Sequence, residues 1–276
     1  MSVLRAQGHD VIAQPTSGPG DGVRIAREAV ASGADLILAA GGDGTVNEVL
    51  NGMVGSAVPL AVLPAGTANV LASEMRIGRN PEQAAAGLRA LIPRRIAVGL
   101  LRASGSEPRY FLSMAGVGLD AEIVHRLDLG SKRRWGKLAY WKAGFSMLGE
   151  RLKEFEVLVE GEVARAGFAL ASRVRNYGGD LEIARGASLL DDRFQVVSLE
   201  GSSSFRYLKY LAGVLAGRLE GMSGVRTTHT QRAVFAAPGT AAVHVQVDGE
   251  YAGRLPATVE IAPSALTLLV PATMRS

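Results

Sequence analysis

The sequence predicts an α/β amino-terminal domain built on a parallel sheet, followed by a mainly antiparallel β-sandwich domain. Up to residue 93, strand-like and helix-like segments alternate, and this order is typical of a parallel sheet covered by helices on both faces. The wholly apolar run at 36–40 suits a strand buried within such a sheet. After residue 93, short apolar segments alternate with turn residues, which favours antiparallel strands. We therefore expect two domains, 1–93 and 94–276.

In the first domain, apolar spacing and glycine or proline punctuation define the elements. Asp21 is a candidate cap for a helix that Gly33 ends, and Pro81 stands in the first turn of an alanine-rich helix. The predicted helices span 3–7, 21–33, 46–53 and 81–91, and the predicted strands span 10–13, 36–40 and 60–63.

In the second domain, the apolar segments predict strands over 96–101, 110–114, 155–159, 168–172, 194–199, 233–235, 243–247, 258–261 and 266–270. Two helices interrupt them, over 137–155 and 204–219. The second of these carries leucines on one face, which indicates a helix packed on the core through Leu208, Leu211, Leu215 and Leu219.

Composition excludes several classes of protein. None of the 276 residues is cysteine, which excludes a disulfide scaffold, a thiolate metal site and a cysteine nucleophile. The net charge of +4 permits anionic partners without selecting one. Aromatic residues make up only 5% and no nucleic-acid-binding motif is present, so we expect no nucleic-acid partner. No apolar run is long enough to span a membrane and no signal peptide opens the sequence, so we expect a cytoplasmic protein.

The sharpest chemical signal is the glycine-rich segment 41–48, GGDGTVNE, which follows a buried strand and opens a helix. Glycines let the backbone approach a ligand, and the free N–H groups of a helix start favour phosphate oxygens. Asp43 could hold a ribose hydroxyl or a magnesium ion, and Thr45 and Asn47 add neutral donors. The alternative is a strand-to-helix turn in which Thr45 or Asp43 only caps the helix.

A second polar glycine turn, 64–69 with sequence PAGTAN, follows the next strand. Adjacent parallel strands bring such turns to the same edge of the sheet, where α/β proteins bind ligands. The two turns together favour a phosphate-bearing ligand, although Thr67 or Asn69 could again be a helix cap. A third glycine pattern, GVGLDA at 116–121, lacks the context of a dinucleotide site, and we interpret it as a structural turn.

Two acidic segments allow more than one interpretation. Asp248 and Gly249 form a favoured type I′ hairpin pair, whereas in an extended strand Asp248 and Glu250 would point to one face and could deprotonate a hydroxyl. A tight turn could also present both carboxylates to a substrate. Asp191 and Asp192 suggest a surface turn. The basic cluster 131–137 suggests either a solvated helix start or a site for anionic lipid headgroups.

The segments GGDGTVNEVLNG and LPAGTANVLA resemble the diacylglycerol kinase catalytic family, close to the bacterial soluble lipid kinases and related to sphingosine kinases. The later segments MAGVGLDA (114–121), YGG (177–179), ASLLDDRF (187–194) and QVDGE (246–250) strengthen the resemblance, which covers nearly the whole chain. It implies the fold shared by NAD kinases and diacylglycerol kinases. The family opens with a strand and an Asn-Pro-x-Ser-Gly-type phosphate loop, which this sequence does not show, so we expect the first strand to be truncated or supplied otherwise.

The resemblance also implies the site residues. Glu250 would be the catalytic base, with Asp248 assisting it. ATP would be bound by Thr16, Gly42, Asp43, Gly44, Thr45, Val46, Asn47, Glu48, Gly66 and Thr67. A structural Mg²⁺ would be held by the Asp192 carboxylate and the carbonyls of Leu189 and Phe194. The family usually has glycine after this aspartate, where this sequence has Arg193.

The function expected from this combination is ATP- and Mg²⁺-dependent phosphorylation of a lipid alcohol, such as diacylglycerol, in an apolar cleft between the domains. Transient contact with the inner face of the membrane follows, because the lipid must be drawn from a bilayer. The sequence does not decide whether the protein forms a homodimer. The alternatives are a NAD kinase, with a soluble dinucleotide as substrate, and a non-catalytic module that binds a nucleotide or lipid.

Overall fold

The computed structural model describes residues 1–128, 149–178, 181–239 and 242–274. Its helices are α1 (Ser2–Ala6), α2 (Asp21–Ala31), α3 (Asp43–Met53), α4 (Val70–Glu74), α5 (Pro81–Ala86), α6 (Leu119–Asp128) and α7 (Ser204–Leu215). Its strands are β1 (Ile37–Gly41), β2 (Pro59–Pro64), β3 (Leu91–Ser104), β4 (Arg109–Phe111), β5 (Met114–Gly118), β6 (Phe155–Val159), β7 (Glu162–Ala166), β8 (Phe168–Ser172), β9 (Asn176–Tyr177), β10 (Leu181–Glu182), β11 (Phe194–Leu199), β12 (Val225–Thr230), β13 (Arg232–Ala236), β14 (His244–Val247) and β15 (Glu250–Pro271).

The amino-terminal sheet is parallel where the sequence predicts it. β1 pairs in parallel with β2, with Ile37 opposite Leu60. β2 then pairs in parallel with the far end of β15, where Thr267 lies opposite Pro59. β3 closes this sheet by running antiparallel to β15. The α/β character of the first domain is therefore confirmed.

The second domain is a curved antiparallel sheet, as predicted. Within the described residues its strands follow the order β12-β11-β8-β5-β14-β15-β13-β6-β7. The sheet encloses a core of its own, and its two halves meet across that core. The rings of Phe111 on β4 and Phe194 on β11 stack with centroids 5.7 Å apart. This face-to-face packing gives the domain its sandwich-like form.

β15 links the two domains. The sequence predicts two separate strands in its place. Its 22 residues replace the separate strands expected at 258–261 and 266–270. A register shift between Ala262 and Leu266 bends the strand, and Ser264 in that bend has a φ of 47°. The strand thus leaves the antiparallel sheet and enters the parallel one. The boundary at residue 93 stays a prediction, and residues near the carboxyl terminus complete the first sheet.

Several predicted elements differ from the structure. Residues 10–13 form no strand, because no neighbouring strand pairs with them and Ile12 is 81% exposed. The helix expected to continue to residue 91 ends at Ala86, after which Gly87 and a 3₁₀ turn lead into β3. The helix predicted over 137–155 lies largely outside the described residues, and its last residue, Phe155, begins β6.

α7 packs on the core through a different face from the one predicted. Tyr210 is buried, whereas Leu208 and Leu215 are 40% and 70% exposed. The hydroxyls of Tyr207 and Tyr210 donate to backbone carbonyls of Leu199 and Glu200, which fixes the tyrosine face inward. The prediction of a buried leucine face is therefore wrong for Leu208 and Leu215, and it is confirmed for Leu219, which lies in the core just beyond the end of α7. None of the helices in the described parts of the chain has the length and apolar composition needed to cross a bilayer.

We expect Gly52→Ala to destabilise the protein although alanine favours helices. Gly52 on α3 faces α2, and a Cβ at this position would collide with the Val23 carbonyl and Ala26. The helix-propensity gain of about 1 kcal/mol should be outweighed by overpacking of about 1–3 kcal/mol. Urea unfolding of the two proteins measures the difference.

The matched control is Gly213→Ala in α7, where the added Cβ would meet only the flexible Met222 side chain and the Leu219 Cα. The midpoint of urea unfolding of this variant should equal that of the native protein or exceed it. Equal stability of Gly52→Ala and the native protein would contradict the proposed tight contact between α2 and α3.

Candidate active site

The two glycine turns lie side by side at one edge of the parallel sheet, as the sequence predicts. Gly41 at the end of β1 is opposite Pro64 at the end of β2, and the Ala65 N–H donates to the Gly41 carbonyl at 3.0 Å. A Cβ on Gly66 would collide with the Cα of Gly42. Only glycine permits this approach, so the two backbones form a continuous rim.

The first turn of α3 opens onto this rim. Gly42 is its extended N-cap, and the first N–H bonded within the helix is that of Val46, which donates to the Gly42 carbonyl at 3.1 Å. The N–H groups before it have no carbonyl within the helix to bind, and they favour an anionic ligand. The Val46 side chain is buried in the core. It can therefore serve a ligand only through its backbone.

Glu48 is engaged in a structural contact on the next turn of α3. Its carboxylate accepts the N–H groups of Gly20 at 2.9 Å and Gly22 at 2.8 Å. These donors belong to the start of α2, so Glu48 joins the two helices. Thr16 lies exposed in the segment that leads to this start, and Thr67 is exposed at the second glycine turn. The structure thus places both threonines where a ligand could reach them.

The segment 248–250 forms the hairpin that the Asp-Gly pair predicts. Val247 at the end of β14 pairs with Glu250 at the start of β15. Asp248 and Gly249 have φ angles of 47° and 83°, the two positive values of a type I′ turn. The extended alternative is therefore wrong.

The Asp248 carboxylate is held by four donors. It accepts hydrogen bonds from Asn47 Nδ2 at 2.9 Å and from the backbone N–H groups of Leu112, Ser113 and Met114 at 2.9–3.2 Å. Burial raises the pKa of the Asp248 carboxyl, and these donors act in the opposite direction. Since its oxygens are occupied, this carboxylate fixes the hairpin against α3 and the 112–114 segment.

The Glu250 carboxylate lies directly over the first turn of α3. A Cβ on Gly44 would overlap Glu250 Oε1, so a side chain there would displace this carboxylate. Arg109 on β4 pairs with Glu250 and also donates from Nε to Asn47 Oδ1 at 2.7 Å. Asn47 therefore binds both members of the hairpin, Asp248 directly and Glu250 through Arg109. The Glu250 side chain is partly exposed.

Asp43, the first residue of α3, is a carboxylate in an unfavourable environment. Burial and the nearby Asp248 charge raise its pKa from 3.8 to about 6. The Leu71 N–H, at the start of α4 just after the second glycine turn, donates to the Asp43 carboxylate at 3.4 Å. This hydrogen bond offsets only part of the rise in pKa. A negative charge held in this position is suited to binding a cation or a hydroxyl donor.

A buried network behind the hairpin was missed by residue-level reasoning. The Tyr177 hydroxyl and Gln246 Nε2 both donate to Asp120, the latter at 2.6 Å. Gln246 Oε1 in turn accepts the Gly249 N–H at 2.8 Å. A Cβ on Gly116 would overlap Asp120, which explains the glycine there. The three residues lie in three of the segments that carry the family resemblance, 114–121, 177–179 and 246–250. Their presence in these segments is the signal in the sequence that could have pointed to the network.

Arg109 was also missed, and no motif surrounds it. Arg109 is the first residue of β4 and directly follows Pro108. The pairing of β4 with β3 brings it beside the hairpin. Asn51 adds to this contact, because it exchanges hydrogen bonds with the backbone of Tyr110 at 2.9 and 3.0 Å. Such contacts across domains have no local pattern in the sequence.

The residues expected to hold a structural magnesium lie in a loop that an arginine occupies. Arg173 Nη2 donates to the Leu189 carbonyl at 2.6 Å, and Nη1 donates to the Asp191 carbonyl at 2.9 Å. A divalent ion on the Leu189 carbonyl would lie against this guanidinium, so the arrangement does not fit one. Asp192 is exposed. In the described part of the chain, no three acidic or histidine side chains are grouped to hold a metal. The basic cluster 131–137 lies outside the described residues.

Comparison with known protein families accounts for almost the whole chain. The family described as "Diacylglycerol kinase catalytic domain" matches residues 1–101. The family described as "YegS C-terminal NAD kinase beta sandwich-like domain" matches residues 113–270. The first match contains both glycine turns, and the second contains the hairpin and the buried network.

Curated relatives share this extent. A protein named diacylglycerol kinase from Mycobacterium tuberculosis is 28% identical over 97% of this chain and 87% of its own length. One of the same name from Bacillus subtilis is 29% identical over 90% of this chain and 82% of its own. A "Probable lipid kinase YegS-like" from Chromohalobacter salexigens is 29% identical over 97% and 86%.

Solved structures agree in fold. A provisionally assigned diacylglycerol kinase from Bacillus anthracis superimposes with a TM-score of 0.81 at 20% identity, over 99% of this chain and 90% of that chain. Another from the same organism superimposes with a TM-score of 0.70 at 18% identity, over 100% and 90%. The family matches and the curated relatives together show that the chain belongs to the diacylglycerol kinase catalytic family of bacterial lipid kinases.

Proposed function

We propose that this lipid kinase transfers the γ-phosphoryl group of ATP to a hydroxyl of diacylglycerol or a related lipid alcohol, with Glu250 as the general base. The observation that carries the proposal is the position of the Glu250 carboxylate over Gly44, in the first turn of α3. This brings a proton acceptor to the place where a helix start favours phosphate oxygens.

The rim formed by the two glycine turns is the proposed triphosphate site. The backbone N–H groups of 42–45 and of Thr67 would bind the phosphate oxygens, with the Thr45 and Thr67 hydroxyls beside them. The Gly66 N–H is held by Asn69 Oδ1 at 2.9 Å, so Gly66 serves the site by letting the two turns approach each other. Thr16 would contact the nucleotide from the segment that Glu48 fastens to α3. In this proposal Val46, Asn47 and Glu48 shape the site from behind, because their side chains are directed to the core, the hairpin and α2.

Asp43 is the proposed ligand for the Mg²⁺ that accompanies ATP. The carboxylate is close enough to Asp248 for the charge of one to raise the pKa of the other, and a cation between them would remove that repulsion. The ion would offset the charge of the phosphates during transfer. Asp248 would keep the hairpin in place, since its oxygens already accept four hydrogen bonds.

In the proposed reaction, Glu250 accepts the proton of the lipid hydroxyl as that oxygen attacks the γ-phosphorus. The bond from the γ-phosphorus to the β–γ bridging oxygen breaks, and ADP leaves. Arg109 orients the Glu250 carboxylate through their ion pair. Transient membrane contact is part of the proposal, because a diacylglycerol substrate resides in a bilayer. An assay with labelled ATP and extracted lipids, with NAD as a soluble competitor substrate, tests the proposal. Labelled lipid supports it, whereas labelled dinucleotide alone contradicts it.

Glu250→Gln should lower kcat by about 10²–10⁴-fold and leave the affinity for ATP unchanged, because it removes the base and keeps the shape. Labelled phosphate transfer and nucleotide titration measure the two quantities. The control is Glu260→Gln, which removes a carboxylate of the same strand that also pairs with an arginine, Arg232. A full loss of activity in both variants, or in neither, would contradict the role of Glu250.

Asp43→Asn should stabilise the ligand-free protein at neutral pH. A native pKa of about 6 against 3.8 in the unfolded chain makes ionised Asp43 unfavourable by about 3 kcal/mol, at about 1.4 kcal/mol per pH unit. Stability from protonated Asp43 is complete below pH 3.8 and is lost as the pH rises through about 6. The variant should therefore be more stable above about pH 6, and equal near pH 4.

Urea unfolding of the native and variant proteins at several pH values measures this difference, and Asp35→Asn, at an exposed position, is the control. The same Asp43→Asn protein should lose phosphate transfer. A variant that gains no stability at neutral pH would show that the protein already stabilises the negative charge of Asp43. That result would contradict the proposal that Asp43 needs a cation.

Gln246→Leu should lower kcat about 10–100-fold. The variant lacks the acceptor for the Gly249 N–H, so the hairpin should move and displace the Glu250 carboxylate. The matched control is Gln195→Leu. Gln195 is equally buried, accepts the Gly186 N–H and donates to Glu220, but lies away from the hairpin. Both variants should lose about 1–3 kcal/mol of stability, and only Gln246→Leu should lose kcat when both are assayed well below their unfolding temperatures. Equal losses of kcat would contradict a positioning role.

A further inference from the structure

Arg173 is a charged side chain fully enclosed by the protein. It follows β8, and its residue exposure is 0%. Its backbone N–H donates to the Ser113 carbonyl at 2.8 Å, which fixes the residue beside the 112–114 segment that binds Asp248. Charged residues are almost never fully buried without a specific partner. The partners of this one therefore indicate what it does.

Its main partners are backbone carbonyls of the loop 187–193. The two terminal nitrogens each bind one carbonyl, Leu189 at 2.6 Å and Asp191 at 2.9 Å. A guanidinium is a planar fork of donors, so it can hold two oxygens at a fixed spacing. The loop folds around the fork in the same way that loops fold around metal ions, with carbonyl oxygens directed toward a positive charge.

The guanidinium keeps that charge at neutral pH. An arginine side chain stays protonated in proteins, and its charge is delocalised over the planar guanidinium. The carboxylates of Asp191 and Asp192 belong to the same loop. The loop therefore has a permanent positive charge at its centre and two carboxylates at its rim.

This arrangement conflicts with a divalent ion in the same loop. The Leu189 carbonyl is one of the ligands expected for such an ion, and a Mg²⁺ ligand lies about 2.0–2.1 Å from the metal. An ion at that distance would share the oxygen with Arg173 Nη2 and repel the guanidinium. Asp192, the expected carboxylate ligand, is followed by Arg193, a second positive charge.

We propose that the Arg173 guanidinium is the built-in cation of the 187–193 loop, so that this loop folds without a divalent metal. The loop leads directly into β11, whose Phe194 packs on Phe111 in the second core. The stability of that core would then be independent of Mg²⁺. The inference does not depend on the proposed phosphate transfer, since it concerns the protein without nucleotide.

The first test uses the full native chain without nucleotide. Its unfolding temperature is measured after dialysis against a chelator, and again with millimolar Mg²⁺ or Ca²⁺, and bound metal is counted by mass spectrometry. Because Asp43 is itself a proposed Mg²⁺ ligand, the same measurements are made on Asp192→Asn. We expect the native and Asp192→Asn proteins to respond to chelation and to added metal by the same amount, within about 1 °C, and to hold the same amount of metal. A drop of several degrees on chelation that Asp192→Asn abolishes, or one ion per chain that this variant releases, would overturn the proposal.

Variants of the arginine give the second test. Arg173→Ala should lower the unfolding temperature by roughly 5–15 °C, because it leaves two buried carbonyls unpaired. It should also vacate the site, so that Mg²⁺ or Ca²⁺ raises the unfolding temperature of this variant more than that of the native protein. An equal response of the two proteins to metal would count against the proposal. If Arg173→Ala does not fold, the chelation measurement on the native and Asp192→Asn proteins decides.

Arg193→Ala is the matched control. Arg193 lies in the same loop but is exposed, and it reaches Asp191 only through a contact of 3.4 Å at the surface. Its removal should change the unfolding temperature by about 1 °C or less. If the two alanine variants were equally stable, the guanidinium of Arg173 would have no special part in the loop, and the inference would fail.

Discussion

The contact between Asn47 and the 248–250 hairpin is the constraint on which the candidate site depends. Asn47 is fully enclosed on α3, and it binds Asp248 directly and Arg109 through its carbonyl oxygen. Because α3 also carries the turn proposed to bind phosphate, this contact sets the distance between that turn and Glu250. Asn51, one helical turn later, repeats the attachment through the backbone of Tyr110. The two domains are thus joined where the reaction is proposed to occur.

The hairpin is supported from two sides. α3 holds it from the first domain, and the Asp120–Tyr177–Gln246 network holds it from within the second. A type I′ turn is short and stiff, so fixing both of its flanks leaves the Glu250 backbone little freedom. Side chains that act on a reacting group need such support from residues that never contact the substrate. The chain places an amide and a carboxylate in that supporting position.

The sequence predicts much of the fold because the elements near the site follow local rules. The apolar run before Gly41 favours a buried strand, and Asp248-Gly249 favours a tight turn between two strands, and the structure has both. The prediction of a strand at 10–13 is wrong because apolar residues do not make a strand without a partner. The prediction for α7 is wrong for Leu208 and Leu215 because leucine spacing does not show how far an apolar face is buried, and the hydrogen bonds of two tyrosine hydroxyls fix the orientation of the helix.

Contacts between distant residues are the part that the sequence could not supply. Arg109 and Arg173 look like ordinary surface arginines in the sequence, and only the tertiary structure shows that one faces Glu250 and the other is buried. The motif residues Asp120, Tyr177 and Gln246 were visible, but their shared network was not, because it joins positions more than fifty residues apart. Prediction was therefore reliable for backbone turns and weak for buried polar side chains.

The path of β15 has a consequence for how the protein is made. Thr267 pairs with Pro59, so the parallel sheet of the first domain gains its third strand only when the far end of β15 has been synthesised. Until then, β2 has an open edge, and β3 lacks the strand against which most of its length is paired. Contacts between residues so far apart in sequence form slowly. The sheet that carries the glycine-rich rim is therefore completed late, and a nascent chain cannot assemble the candidate site until β15 has left the ribosome.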